Sequence, residues 1–277
     1  MLTADAHRTS LGPVSTRAQR YDATVLRRDR ISAHLVRLVL AAPGLESTGI
    51  PDEWVGLVVP GQYQVRYYTV RTLTGDELVL DVVVHEEGLV TGWVTGSANG
   101  DCVGDRVVVT SPQSSFTLLE NAGWVLLVGD LTAMPAMARI AEGLDRLDRL
   151  DRQRIRIWAE VSDDLTGYLP DGADVTWLEP PAPGQSRLAE VVESIDWPDG
   201  EGYFWMAGES AQMRAIRKHL MRERRLASTA YDVMGYWRAV AARQPRTVDP
   251  GPIWRAGKAA GQSDEQIWAA YDEARGG

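Results

Sequence analysis

The chain has 277 residues, 44% of them apolar and 24% charged, a globular composition long enough to bury a core without covalent staples. Its net charge of −9, from 29 basic and 38 acidic residues spread over both halves, argues against a nucleic-acid partner. A single cysteine, Cys102, excludes an internal disulfide, a cysteine zinc site and a cysteine-ligated iron–sulfur cluster.

Residues 1–20 are polar, with no apolar run of signal-sequence length, and no stretch of about 18 apolar residues occurs that would insert in a membrane. A cytoplasmic monomer is expected. From residue 21 to about 120 the texture is short strands punctuated by turns. Val36, Leu38 and Leu40 alternate before Pro43-Gly44, Gln62 to Arg71 is rich in aromatic and β-branched residues, and Leu78 to Val84 follows Gly75-Asp76. Such spacing predicts an antiparallel barrel or sandwich.

The rhythm changes at residues 118–123. Trp124 to Val128 reads as a strand buried on both faces, and Thr132 as the N-cap of a helix with Pro135 in its first turn. Met134, Met137, Ile140, Leu144 and Leu147 share one helical face. Strands at Ile155–Val161, Val175–Leu178 and Tyr203–Ala207 follow, the last leading into a helix with Met213, Ile216, Leu220 and Met221. Strands alternating with helices predict a parallel α/β sheet. Pro245 to Pro252 reads as a linker, and Ser263-Asp264-Glu265-Gln266 as a capping box before a stripe of Ile267, Trp268, Tyr271 and Ala274.

The strongest local feature is Arg66-Tyr67-Tyr68-Thr69-Val70-Arg71, just after Pro60-Gly61-Gln62-Tyr63. In a strand, Arg66, Tyr68 and Val70 share one face, and Tyr67, Thr69 and Arg71 the other. A flavin site would use these residue types: a flat ring at Tyr68, a hydroxyl at Thr69 for the flavin N5 region and a rigid cation at Arg66 for a phosphate. By spacing alone, the same residues also read as an edge strand with surface arginines.

Four further segments follow in order: His85-Glu86-Glu87-Gly88-Leu89-Val90-Thr91-Gly92-Trp93, Gly129-Asp130-Leu131-Thr132-Ala133-Met134-Pro135-Ala136, Trp205-Met206-Ala207-Gly208-Glu209 and Tyr236-Trp237-Arg238. With these, the chain resembles the siderophore-interacting proteins over about residues 20–240. These are flavin-dependent ferric-siderophore reductases of the ferredoxin–NADP⁺ reductase superfamily. It departs from their pattern at Leu89-Val90, which replaces Pro-Ala, and at Leu131, which replaces an acid.

The resemblance implies a six-stranded FAD-binding barrel over 21–120, a parallel-sheet NAD(P)H-binding domain over 121–243 and a helical tail over 244–277. It implies FAD contacts at Arg66, Tyr67, Tyr68 and Thr69, then at Val84, His85, Gly88, Val90, Thr91 and Trp93. Thr69 is the group expected to tune the flavin, and Gly88 and Thr91 suit the approach of a pyrophosphate. From its residue type Trp93 fits the core better than a ligand contact, and His85 equally fits a backbone contact at a strand end. The implied nicotinamide nucleotide site is Gly129, Asp130, Thr132 and Ala133, with Ala207, Gly208 and Glu209 across from them. Glu209 also reads as a first-turn acid favoured by the helix dipole.

The implied reaction passes electrons from NAD(P)H through FAD to a ferric siderophore. An anionic chelate then needs a basic pocket, for which Arg255 and Lys258 of the tail are the candidates. The choice of donor stays open: Glu160, Asp163 and Asp164 would repel a 2′-phosphate, whereas Arg214, Arg217 and Lys218 would attract one. Two other readings remain, a reductase serving another protein and a siderophore-binding module without catalysis.

Overall fold

A computed structural model describes residues 18–61, 64–85, 88–96, 100–147, 154–182, 184–239, 256–260, 262–263 and 266. The chain divides into two compact units, Met1–Trp237 and Arg238–Gly277.

The first unit opens with six strands: β1 (Arg20–Arg30), β2 (Leu35–Ala41), β3 (Trp54–Val58), β4 (Arg66–Thr74), β5 (Glu77–Val83) and β6 (Arg106–Thr110). They close into an antiparallel barrel in the order β1-β2-β5-β4-β3-β6, resolving the choice between barrel and sandwich. Gly75-Asp76 joins β4 to β5 as a two-residue loop between the paired Thr74 and Glu77. Only Gly75 of the two takes a positive φ, +56°, which is the type II′ pattern that suits a twisted hairpin. Val25, Leu38, Leu40, Val55, Leu57, Val70, Leu80 and Val109 fill the barrel. Helix α1 (Leu89–Thr95) adds Val90, Trp93 and Val94 to that cluster.

Next come β7 (Val125–Asp130), α2 (Met134–Leu147), β8 (Ile155–Glu160), β9 (Asp174–Leu178), α3 (Leu188–Ser194), β10 (Tyr203–Glu209), α4 (Ser210–His219), a π-helical turn (Leu220–Arg224) and β11 (Tyr231–Trp237). The five strands form a parallel sheet in the order β11-β10-β7-β8-β9. All six residues of β7 are buried, as a central strand covered on both faces requires. Val125 and Leu127 pack with α2, whereas Leu126 and Val128 pack with α3 and α4. From β7 the chain winds outward to β9, then returns to place β10 on the other side of β7. The strand order therefore reverses between β7 and β10, and crevices form at the carboxyl ends of strands at such a point.

Side chains far apart in sequence tie the barrel to the sheet. Arg139 of α2 donates to the Val70 carbonyl at 2.7 Å and to Glu53 at 3.0 Å. Arg71 of β4 grips Glu142 of α2 with two bonds, 2.5 and 3.0 Å. Asp81 of β5 accepts two bonds from Arg37, each 2.7 Å, and one from Tyr168 at 2.5 Å. In the second unit, residues 256–259 are helical. Ser263 and Gln266 exchange bonds of 3.0 and 3.3 Å, the reciprocal pattern of a capping box. The stripe Ile267, Trp268, Tyr271 and Ala274 lies outside the described residues.

Candidate functional site

Strand β4 has a face toward the barrel and a face toward the sheet. Val70 is fully buried in the barrel cluster and Tyr68 packs beside it. Burial pushes the Tyr68 phenol up to about 12, against the opposing pull of the Arg66 charge. Arg66 and Tyr67 are exposed, Tyr67 by 66%. On the sheet side, Thr69 is 5% exposed. Its hydroxyl faces the Tyr236 phenol of β11, yet neither oxygen makes a well-formed hydrogen bond among the described residues. The indole N–H of Trp205, whose ring meets Tyr236 edge-on at 6.4 Å, is likewise unpartnered. Three such polar atoms thus belong to Trp205 and Tyr236, in mutual ring contact, and to Thr69, which faces Tyr236, where β4 meets β10 and β11. A register shift between Val70 and Thr72 marks a bulge at Arg71, and Arg71 turns to Glu142.

The segment after β5 separates into accessible and buried residues. His85 is exposed, and its backbone N–H donates to the Thr91 hydroxyl at 3.1 Å. Burial and the neighbouring His34 hold the His85 imidazole below its ordinary range. Gly88, at φ +149°, stands at the N-cap of α1. Val84 is half-buried against the barrel cluster, and Val90 and Trp93 lie within it. Trp93 is 5% exposed and donates its indole N–H to Asp105 at 2.8 Å, so its ring anchors α1 to the barrel.

Gly129 and Ala207 are register partners across the point where strand order reverses. A Cβ on Gly129 would stand 2.4 Å from that of Ala133, so glycine lets strand and helix approach closely. Gly208 takes φ +155°, and a Cβ there would meet the Asp130 carboxylate at 2.6 Å. Asp130 accepts from the Thr132 backbone N–H at 2.9 Å, the Thr132 hydroxyl at 2.5 Å and the Trp237 indole at 2.6 Å. Burial pushes its carboxyl up, the bonds from Thr132 and Trp237 oppose that, and Glu160 adds to it. Glu209 caps α4, accepting from the N–H groups of Ala211 and Gln212 at 2.5 and 3.1 Å.

The cap expected at Thr132 is corrected. Helix α2 begins at Met134, and the Thr132 hydroxyl donates to Asp130 instead of accepting from the helix. The Asp130 carboxyl oxygen sits two residues upstream and takes both the hydroxyl and the backbone N–H of Thr132. The charged residues weighed for donor choice also have occupations. Asp163 accepts from Ser32 and from the backbone N–H and ring Nδ1 of His34, Asp164 closes a turn with Thr166, and Arg217 donates to the Val233 carbonyl. Arg214 and Lys218 are exposed on α4. Of the tail candidates, Lys258 is exposed on the helical turn of the second unit, and Arg255 lies outside the described residues. Sequence reading assigned no role to Tyr236, Arg139 or Glu142. Only the Tyr-Trp-Arg segment signalled the first.

Residues 122–240 match the family model described as siderophore-interacting protein. A ferric vibriobactin reductase from Vibrio cholerae is 30% identical over 189 residues. Over residues 122–240 the chain is similar to the siderophore-interacting proteins. The match to the Vibrio relative spans 65% of each chain. An NADPH-dependent ferric-chelate reductase of Escherichia coli is 26% identical over 255 residues, covering 79% of this chain and 92% of that protein. Among solved structures, a siderophore utilization protein from T. fusca superposes with TM-score 0.65 and 26% identity, covering 81% of this chain and 94% of that one.

Proposed function

We propose that this protein is an FAD-dependent ferric-siderophore reductase that takes electrons from NAD(P)H. The carrying observation is the junction of β4, β10 and β11, where the Thr69 hydroxyl, the Tyr236 phenol facing it and the Trp205 indole are buried without a well-formed hydrogen bond among the described residues. Orphaned buried polar atoms are rare and costly, and a ligand with its own donors and acceptors accounts for them. A flavin ring edge has that chemistry, so the residues present fit the group. Relatives named ferric vibriobactin reductase and NADPH-dependent ferric-chelate reductase support the same reading.

A bound flavin supplies two-electron acceptance from a nicotinamide and one-electron donation to a ferric chelate. The chain's own residues hold and orient. Thr69 offers its hydroxyl from the floor of the site and Tyr236 its phenol from the sheet. Tyr68 gives an aromatic face, and exposed Arg66 a cation with fork geometry for a phosphate. Gly88 leaves backbone N–H groups open to a second phosphate. Gly129 and Gly208 let helix α2 and the Asp130 carboxylate pack closely at the ends of β7 and β10, beside the crevice that would take the nucleotide, while the contacts of Arg139 and Arg71 fix barrel and sheet against each other. The substrate is the Fe(III) chelate. Its hard oxygen ligands favour the ferric ion, so reduction loosens the metal.

The test is anaerobic reduction by NADH and by NADPH, followed by mixing with a panel of ferric siderophores and a ferrous trap. The expected outcome is a yellow protein that either nucleotide bleaches, and trapped Fe(II) on mixing. A colourless protein that takes up no FAD refutes the reading. Chelates reduced no faster than by free reduced flavin would make the protein a reductase for some other acceptor.

A further inference from the structure

Two carboxylates end adjacent strands where the dinucleotide is proposed to lie. Asp130 closes β7 and Glu160 closes β8, and they are partners in the parallel register. Glu160 is 2% exposed, and it accepts the Arg187 backbone N–H at 2.9 Å, which fixes it against the start of α3. The exposed Arg187 thus presents its main chain to Glu160. Both Asp130 oxygens are engaged by Thr132 and Trp237. Beyond β8, a cavity of 560 Å³ is lined by Asp163, Asp164, Asp171 and Glu179, with no Lys, Arg or His in its wall among the described residues. Arg217, a cation that the sequence offered for a phosphate, donates to the Val233 carbonyl.

In doubly wound sheets, an acid near the end of the second strand bonds the ribose 2′-hydroxyl of NAD, and NADP requires a cation there instead. Strand β8 is the second strand of this sheet in chain order, next to β7. A 2′-phosphate placed there brings close to two negative charges onto a fixed carboxylate. We propose that Glu160 makes NADH the preferred electron donor over NADPH. This rests on the reading above that the sheet binds a nicotinamide nucleotide.

Binding is measured by calorimetry with ADP and with adenosine 2′,5′-bisphosphate on the purified protein, and turnover as kcat/KM for NADH and NADPH. The expected result is tighter ADP binding and an NADH preference of about tenfold or more. Glu160→Gln keeps an acceptor for the Arg187 N–H but removes the charge. It should narrow the preference mainly by lowering the KM for NADPH and by strengthening bisphosphate binding. Arg187→Ala should leave the ratio unchanged. A wild-type preference for NADPH, an unchanged ratio in Glu160→Gln, or a loss of NADPH use alone in Arg187→Ala overturns the inference while leaving the reductase reading intact. Failure of all four nucleotides to bind overturns both.

Discussion

Arg66 and Thr69 lie three residues apart on β4, one exposed and one buried, and the proposed site asks different things of them. A charge-assisted bond to phosphate contributes roughly 1.5–3 kcal/mol. Arg66→Ala should therefore weaken FAD binding by about 10–150-fold, read as the dissociation constant after removal and titration of the flavin. Thr69 gives a sharper test, because its buried hydroxyl faces the Tyr236 phenol without a well-formed hydrogen bond among the described residues. Thr69→Val keeps the shape and removes the group left unsatisfied, whose burial costs about 1–3 kcal/mol. Without FAD, the variant should match or exceed wild-type stability; with FAD, it should gain less in thermal midpoint than wild type does. Equal gains in both proteins would remove the hydroxyl from the flavin site. The sequence made Thr69 visible because Arg-x-Tyr-Thr-x-Arg is a local pattern. Tyr236 stands 167 positions away, and no local pattern pairs it with Thr69.

Strand β4 and helix α2 show the same division between local and long-range information. The apolar face of α2 was readable, since Met134, Met137, Ile140 and Leu144 recur at helical spacing and all are buried. Its polar contacts were not, because Arg139 and Glu142 pair with groups 69 to 86 residues upstream. Thr132 shows why a residue type alone misplaces a cap: an aspartate two residues earlier wins the local competition. For Trp93 the residue type was the better guide, since a tryptophan tends to the interior and its ring lies in the barrel core. The Arg139 clamp carries its own consequence. Glu53 is fully buried, and its carboxylate also accepts from Ser47 and Thr48. Arg139→Met leaves that carboxylate buried without its cation, a loss of about 3–5 kcal/mol. Urea unfolding should show it as a lowered midpoint, and restoration by Arg139→Lys should be partial, because one ammonium replaces a two-point fork. A midpoint unchanged in Arg139→Met would mean that Glu53 is satisfied by its hydroxyl partners alone.

Across the whole molecule, the barrel and sheet also meet where the β1–β2 turn reaches the loop after β8. There Asp163 accepts from the backbone and ring nitrogens of His34, at 2.7 and 2.6 Å, and from the Ser32 hydroxyl. Burial pushes the Asp163 carboxyl up, but the hydrogen bonds from His34 and Ser32 outweigh it and hold the group below its ordinary range. A folded-state pKa below the unfolded value of about 3.9 makes the unfolded chain the stronger proton binder in that window. The contribution of Asp163 is thus fully present above about pH 4 and is lost as pH falls through the depressed folded value. Asp130 has the opposite sign, since burial raises it, and its cost at neutral pH is relieved on acidification. A bare acid-unfolding curve mixes the two, so the test is a difference. Unfolding free energies of wild type and Asp163→Asn, measured in urea from pH 7 to pH 3, should differ by a constant amount down to about pH 4 and then converge. A gap that persists unchanged at pH 3 would show that the latch holds by shape and not by the ionised carboxylate.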